Sequence, residues 1–152
     1  MVSDEWLTNV FEQCVSHLEK KIDSLIRLRD LEETYPRKDL PGHGGGLGFE
    51  AWVKVEMSKA LGKVVVGWQQ SPGLVLSCEG ESVELDVKTT SDANFDWIER
   101  GFISADVVFA VCNKKYLDES AVEQFKKVGD ILGWQELSDG QGLWIVLLAR
   151  KK

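Results

Sequence analysis

The segment Asp106–Cys112 reads Asp-Val-Val-Phe-Ala-Val-Cys, an unbroken apolar run after one acid. A strand with one wet face alternates apolar and polar side chains, whereas a solid apolar run fits a central strand covered on both faces. Such a strand needs neighbours in its sheet and layers above and below it, which points to an α/β arrangement. The chain has 152 residues, which suits one domain. A chain of that size buries roughly 70% of its unfolded surface without disulfide or metal support.

The flanking sequence supplies those layers. Trp6, Leu7, Val10, Phe11, Cys14, Val15, Leu18, Ile22, Leu25, Ile26 and Leu28 recur at helical spacing, which predicts one long helix within residues 4–33. Ser3 can cap it, and Asp4 and Glu5 suit the positive end of its dipole. Its apolar stripe either lies across the chain's own core, the reading adopted, or pairs with a second copy in a homodimer. Pro36–Gly48 is a Gly-rich linker by composition. It lacks the glycine spacing of a nucleotide-binding loop, and its His43 reads as an ordinary loop histidine.

Residues 49–61 predict a second helix, with Phe49, Val53, Met57, Ala60 and Leu61 on one side. Glu50 and Glu56 project within that apolar arc, whereas Lys54, Ser58 and Lys59 lie away from its centre. Strands are expected at Lys63–Gln69, Leu74–Cys78 and Val83–Thr90, the last two forming a hairpin around Glu79-Gly80-Glu81-Ser82. Asn94–Gly101 reads as a short helix or turn and Ser120–Val128 as an amphipathic helix. Gly133–Leu137 and Leu143–Ala149 form a second hairpin. The expected organisation is one α/β domain with a mixed sheet flanked by helices: an N-terminal helix (1–35), the linker (36–48) and an α/β core (49–152).

Several function classes are poorly supplied. The net charge is −7, unlike that of proteins that coat nucleic acid by neutralising phosphates. Lys114-Lys115, Lys126-Lys127 and Arg150-Lys151-Lys152 are the visible basic clusters. Cys14, Cys78 and Cys112 form no Cys-x-x-Cys pair and read as buried small hydrophobes in a reducing, cytoplasmic setting. No apolar run approaches the ~18 residues of a membrane span, and no secretory signal is visible. With His17 and His43 as the only histidines, a Ser–His or Cys–His nucleophile has few candidates. The six tryptophans read as core or interface residues, although Trp68 or Trp97 could stack on a base.

Val83–Thr90 carries the chemistry. Side chains two apart share a strand face, so Glu84, Asp86 and Lys88 lie on one side while Val83, Leu85 and Val87 pack on the other. Two carboxylates and an ammonium in a row hold the parts of a phosphodiester-hydrolysing site. Carboxylates bind a hard cation, and the lysine holds the phosphate and positions water. A solvated strand with alternating charges gives the same pattern.

The order of helix with an inward glutamate, strand, hairpin, short helix and apolar strand, over residues 48–113, resembles the PD-(D/E)XK nuclease superfamily. Gly48-Phe49-Glu50 is similar to its helix glutamate, and Asp86-Val87-Lys88 to its (D/E)-x-K strand. Thr89 and Thr90 follow as in relatives that read Glu-x-Lys-Thr-Thr. The resemblance implies a restriction-endonuclease-like core, catalytic residues Glu50, Asp86 and Lys88, and Mg2+ or Mn2+ held by Asp86, Glu50 and the Val87 carbonyl. It implies DNA as substrate. One element departs: the family's Pro-Asp acid falls on Pro72-Gly73, and Glu84 is the acid that could substitute. The resemblance therefore leaves two functions open. One is a Mg2+-dependent DNA endonuclease. The other is a catalytically degenerate binding or regulatory module, including a dimeric protein–protein adaptor built on the first helix.

Overall fold

The computed structural model describes residues 1–27, 47–69, 73–90, 95–113, 119–137 and 144–152. Helix α1 (Asp4–Glu19) is capped by the Ser3 hydroxyl, which accepts from the Trp6 N–H. Its ladder tightens at the C-terminus, where the Lys20 and Lys21 amides donate to the carbonyls of His17 and Leu18 at 3.2 and 2.9 Å. A second helical segment occupies 22–27. The expected single helix is thus interrupted at Lys20-Lys21. Helix α2 (Leu47–Leu61) begins two residues inside the stretch read as linker; residues 36–46, His43 among them, lie outside the described residues.

A 3-10 turn at Gly62–Val64 leads to β1 (Val65–Trp68), β2 (Gly73–Cys78) and β3 (Glu81–Thr90). Short helices α3 (Phe95–Glu99) and α4 (Gly101–Ser104) precede β4 (Val107–Asn113). Helix α5 (Glu119–Lys126) and strands β5 (Gly129–Leu137) and β6 (Trp144–Lys151) follow. The six strands form one mixed sheet in the order β1-β2-β3-β4-β6-β5. β3 and β4 run parallel, and every other pair is antiparallel. The β2–β3 turn is tighter than the sequence suggests: Cys78 pairs directly with Glu81. Glu79 and Gly80 take φ of 49° and 86°, the two positive values of a type I′ hairpin.

The apolar run does become a central strand. Val107, Phe109 and Val111 of β4 enter one cluster with α1, α2, β2 and β3, while Val108, Ala110 and Cys112 enter another with Ile98, Phe102 and Phe125. Helix α1 buries Leu7, Val10, Phe11, Cys14, Val15 and Leu18 in the first cluster, so its stripe belongs to the chain's own core. Phe11 tilts against Phe109 with centroids 6.4 Å apart. It also covers Gly133, where a Cβ would stand 2.4 Å from the ring. On the other face Phe102 stacks on Phe125 at 5.9 Å. Burial pushes the Cys14 and Cys112 thiols up to about 12; Cys78 is only half-buried. No described helix is long and apolar enough to cross a membrane.

Candidate functional site

β3 splits its two faces as the alternation requires. Leu85 and Val87 are fully buried in the first core cluster, with Val83 packed against it. The opposite side carries Asp86 and Lys88, but it is not a solvated face: Asp86 is only 3% exposed. Part of its cover is Gly101 at the start of α4, where a Cβ would stand 2.8 Å from Asp86 Oδ2. Lys88 Nζ lies 3.3 Å from the same oxygen.

Helix α2 brings two further charges. Glu50 and Lys54, one turn apart, pair at 3.6 Å. Lys54 is 5% exposed, so its place outside the expected apolar arc did not leave it in water. Its ammonium also lies 3.4 Å from the Gln69 carbonyl and 5.9 Å from the Trp68 ring centroid, partners suited to a desolvated cation. The four groups share one electrostatic neighbourhood. Burial raises the Glu50 carboxyl above its ordinary range, Lys54 and Lys88 pull it down, and Asp86 pushes it up. Burial likewise raises Asp86, against Lys88, Lys54 and the Val87 N–H. Asp86 and Lys88 are therefore paired on β3 and Glu50 and Lys54 on α2, the two pairs sensing each other's charge, with Lys54 as a member that the sequence reading passed over. The i,i+4 spacing of Glu50 and Lys54 was the signal that could have found it.

Position 73, where the resemblance places an acid, pairs directly with Asp86. Gly73 has φ +142°, and a Cβ there would meet the Leu85 carbonyl oxygen at 2.9 Å, the Val87 nitrogen at 3.3 Å and Lys54 Cε at 3.4 Å. The backbone thus resists a side chain at this point, and the Lys54 stem borders the space that one would enter.

Glu84 stands apart. It is exposed and opens onto a groove of about 850 Å3, whose lining includes Glu81, Asp106, Arg150 and Lys151. The C-terminal basic residues thus lie at that end of β3. Arg150 is engaged there with Asp4 and the Val2 carbonyl, and the Met1 amino group pairs with Glu81 at 2.8 Å. Glu56, the other inward glutamate, serves the helix packing. It is 4% exposed and bonds His17 of α1 at 2.7 Å and Lys59 at 3.2 Å. Burial pushes its carboxyl up, yet the His17 and Lys59 bonds outweigh this and hold it below the ordinary value. Trp144 is buried, Trp6 and Trp52 pack at the core edge, and Trp68 is half exposed. The Trp97 side chain and Lys114-Lys115 lie outside the described residues.

The donors do not fit a divalent cation as they stand. Among the described residues no three His, Cys, Asp or Glu side chains gather closely enough to share a metal ion. Glu50 and Asp86 already meet Lys54 and Lys88, so two carboxylates face two ammonium groups. A hard dication draws its affinity from uncompensated carboxylate charge, and this neighbourhood is already balanced. Comparison with protein families, with curated proteins and with solved structures finds no match to the chain.

Proposed function

We propose that the chain is a restriction-endonuclease-like domain whose centre on β3 binds nucleic acid without hydrolysing it. The observation that carries this reading is the register of Gly73 opposite Asp86, at a backbone point with no room for a Cβ. The position that holds the anchoring acid in the family pattern is structurally closed to one. The nuclease-like part of the reading is supported by the arrangement of α2, the β1–β3 meander, the short helices and the parallel β4. It is also supported by the Asp86–Lys88 pair on β3, whose charges reach Glu50 on α2. A homodimer through α1 is not part of it, because the apolar stripe of that helix packs at home.

Hydrolysis has one observation in its favour: Asp86 and Lys88 pair on β3, and the charge of Glu50 is felt there, in the family order. The same experiment separates the two functions. Wild type and Lys88→Ala are incubated with duplex, single-stranded and branched DNA, with Mg2+ or Mn2+, and binding is followed by fluorescence anisotropy across a salt series. The expected result is no cleavage by either protein, with binding that weakens in Lys88→Ala and at higher salt. Metal-dependent cleavage lost in Lys88→Ala would establish the endonuclease instead. Neither cleavage nor binding to any DNA form would remove nucleic acid from the reading.

A further inference from the structure

We infer that the Lys54 ammonium takes the place of a divalent cation in this centre, so that the domain works independently of metal. This rests on the nuclease-like reading of the β3 centre. Lys54 is a positioning residue here: it sets the charge and orientation of Glu50 and Asp86 and need not touch a ligand.

Three features carry the inference. Lys54 is buried, and an ammonium there is costly unless its charge is compensated. Its compensation comes from Glu50 at 3.6 Å and the Gln69 carbonyl at 3.4 Å, with the field of Asp86 acting alongside. Its stem stands 3.4 Å from the point where residue 73 would place a side chain. The position closed to an acid and the buried ammonium are therefore neighbours in one centre. Removing a carboxylate lowers the demand for positive charge, and a single tethered ammonium meets what remains. A tethered cation is already in position and cannot be lost to chelators, whereas a metal ion depends on its free concentration.

The gain-of-metal experiment tests this. Mn2+ is titrated calorimetrically into wild type, Lys54→Met and the double variant Lys54→Met/Asp86→Asn. Methionine keeps much of the stem volume and removes the charge. Wild type is expected to show no saturable binding. Lys54→Met is expected to bind at least about tenfold more tightly, since removing the ammonium leaves the carboxylates to the metal, and the double variant is expected to lose the gain. Saturable binding by wild type equal to that of Lys54→Met would overturn the inference, as would a folded Lys54→Met with no gain. Should Lys54→Met not fold, thermal denaturation of wild type with and without millimolar Mn2+ decides: an unchanged midpoint is expected, and a Mn2+-dependent rise that Asp86→Asn abolishes overturns the inference. These readouts do not involve DNA. A failure here leaves the nucleic-acid assay standing, and a failure there leaves this result interpretable.

Discussion

Replacing Gly73 with alanine isolates the backbone argument from the charge argument. The φ of +142° belongs to a region that L-residues adopt at a cost of about 1–3 kcal/mol. The 2.9 Å approach to the Leu85 carbonyl adds a steric term. That oxygen is main chain in a paired strand and cannot swing aside as a side chain would. Overpacking of this kind costs about 1–3 kcal/mol, while the reduced freedom of the unfolded chain returns up to about 1 kcal/mol. The net expectation is a loss of about 1–6 kcal/mol, set against a stability on the order of 5–15 kcal/mol. Urea unfolding followed by tryptophan fluorescence measures it, with the midpoint falling and the slope unchanged. Gly73→Asp carries the same backbone penalty and should be no more stable than Gly73→Ala, rather than behaving as a repaired site. A Gly73→Ala protein within about 0.5 kcal/mol of wild type would refute the reasoning and reopen position 73 to an acid.

Two further expectations concern the helices. Glu56→Gln should cost about 1–3 kcal/mol, because it weakens charge-assisted bonds to His17 and Lys59 inside the α1–α2 contact. Since the folded carboxyl lies below its ordinary value of 4.5, its stabilisation is present above that value and disappears as pH falls through the folded one. The gap between wild type and Glu56→Gln in thermal melts should therefore close with acidification, and a gap that widened would contradict the assignment. Phe11→Ala should cost about 3–5 kcal/mol, since the ring packs on Phe109 and covers Gly133. A loss under about 1 kcal/mol in urea unfolding would mean that α1 is not fixed to the sheet as described.

Much of the architecture was legible in residue patterns. The apolar run of β4, the alternation in β3 and the spacing in α1 each reflect burial, and burial is written in local sequence. Boundaries were less legible where hydrogen bonding decided them. β5 starts at Gly129, ahead of the expected Gly133, because the strand continues across an irregularity between Ile131 and Gly133. The shared face of Asp86 and Lys88 on β3 was legible from the alternation, and Glu50 stood out in the helix pattern. Lys54 was half legible: its i,i+4 pairing with Glu50 lies in the helix sequence, whereas its burial beside the vacant Cβ position of Gly73 and the Gln69 carbonyl is set by tertiary packing. Glu50 and Glu56 looked equivalent in the helix pattern. Only tertiary packing separates them, one toward Asp86 and the other onto His17.

The place of β4 has a consequence for how the molecule opens. To one side of it lie β1, β2 and β3, joined by short connections; to the other lie β6 and β5. Each side is assembled from near neighbours in sequence, and within the hydrogen-bonded sheet β4 is the strand that joins them, through pairs such as Asp86 with Val108 and Val108 with Ala149. Its amide hydrogens are reached only when both halves separate, whereas those of the outer strands β1 and β5 exchange through local fraying. The charged cluster spans α2 and β3, within a single half. Its geometry can therefore survive fluctuations that loosen the opposite edge of the sheet.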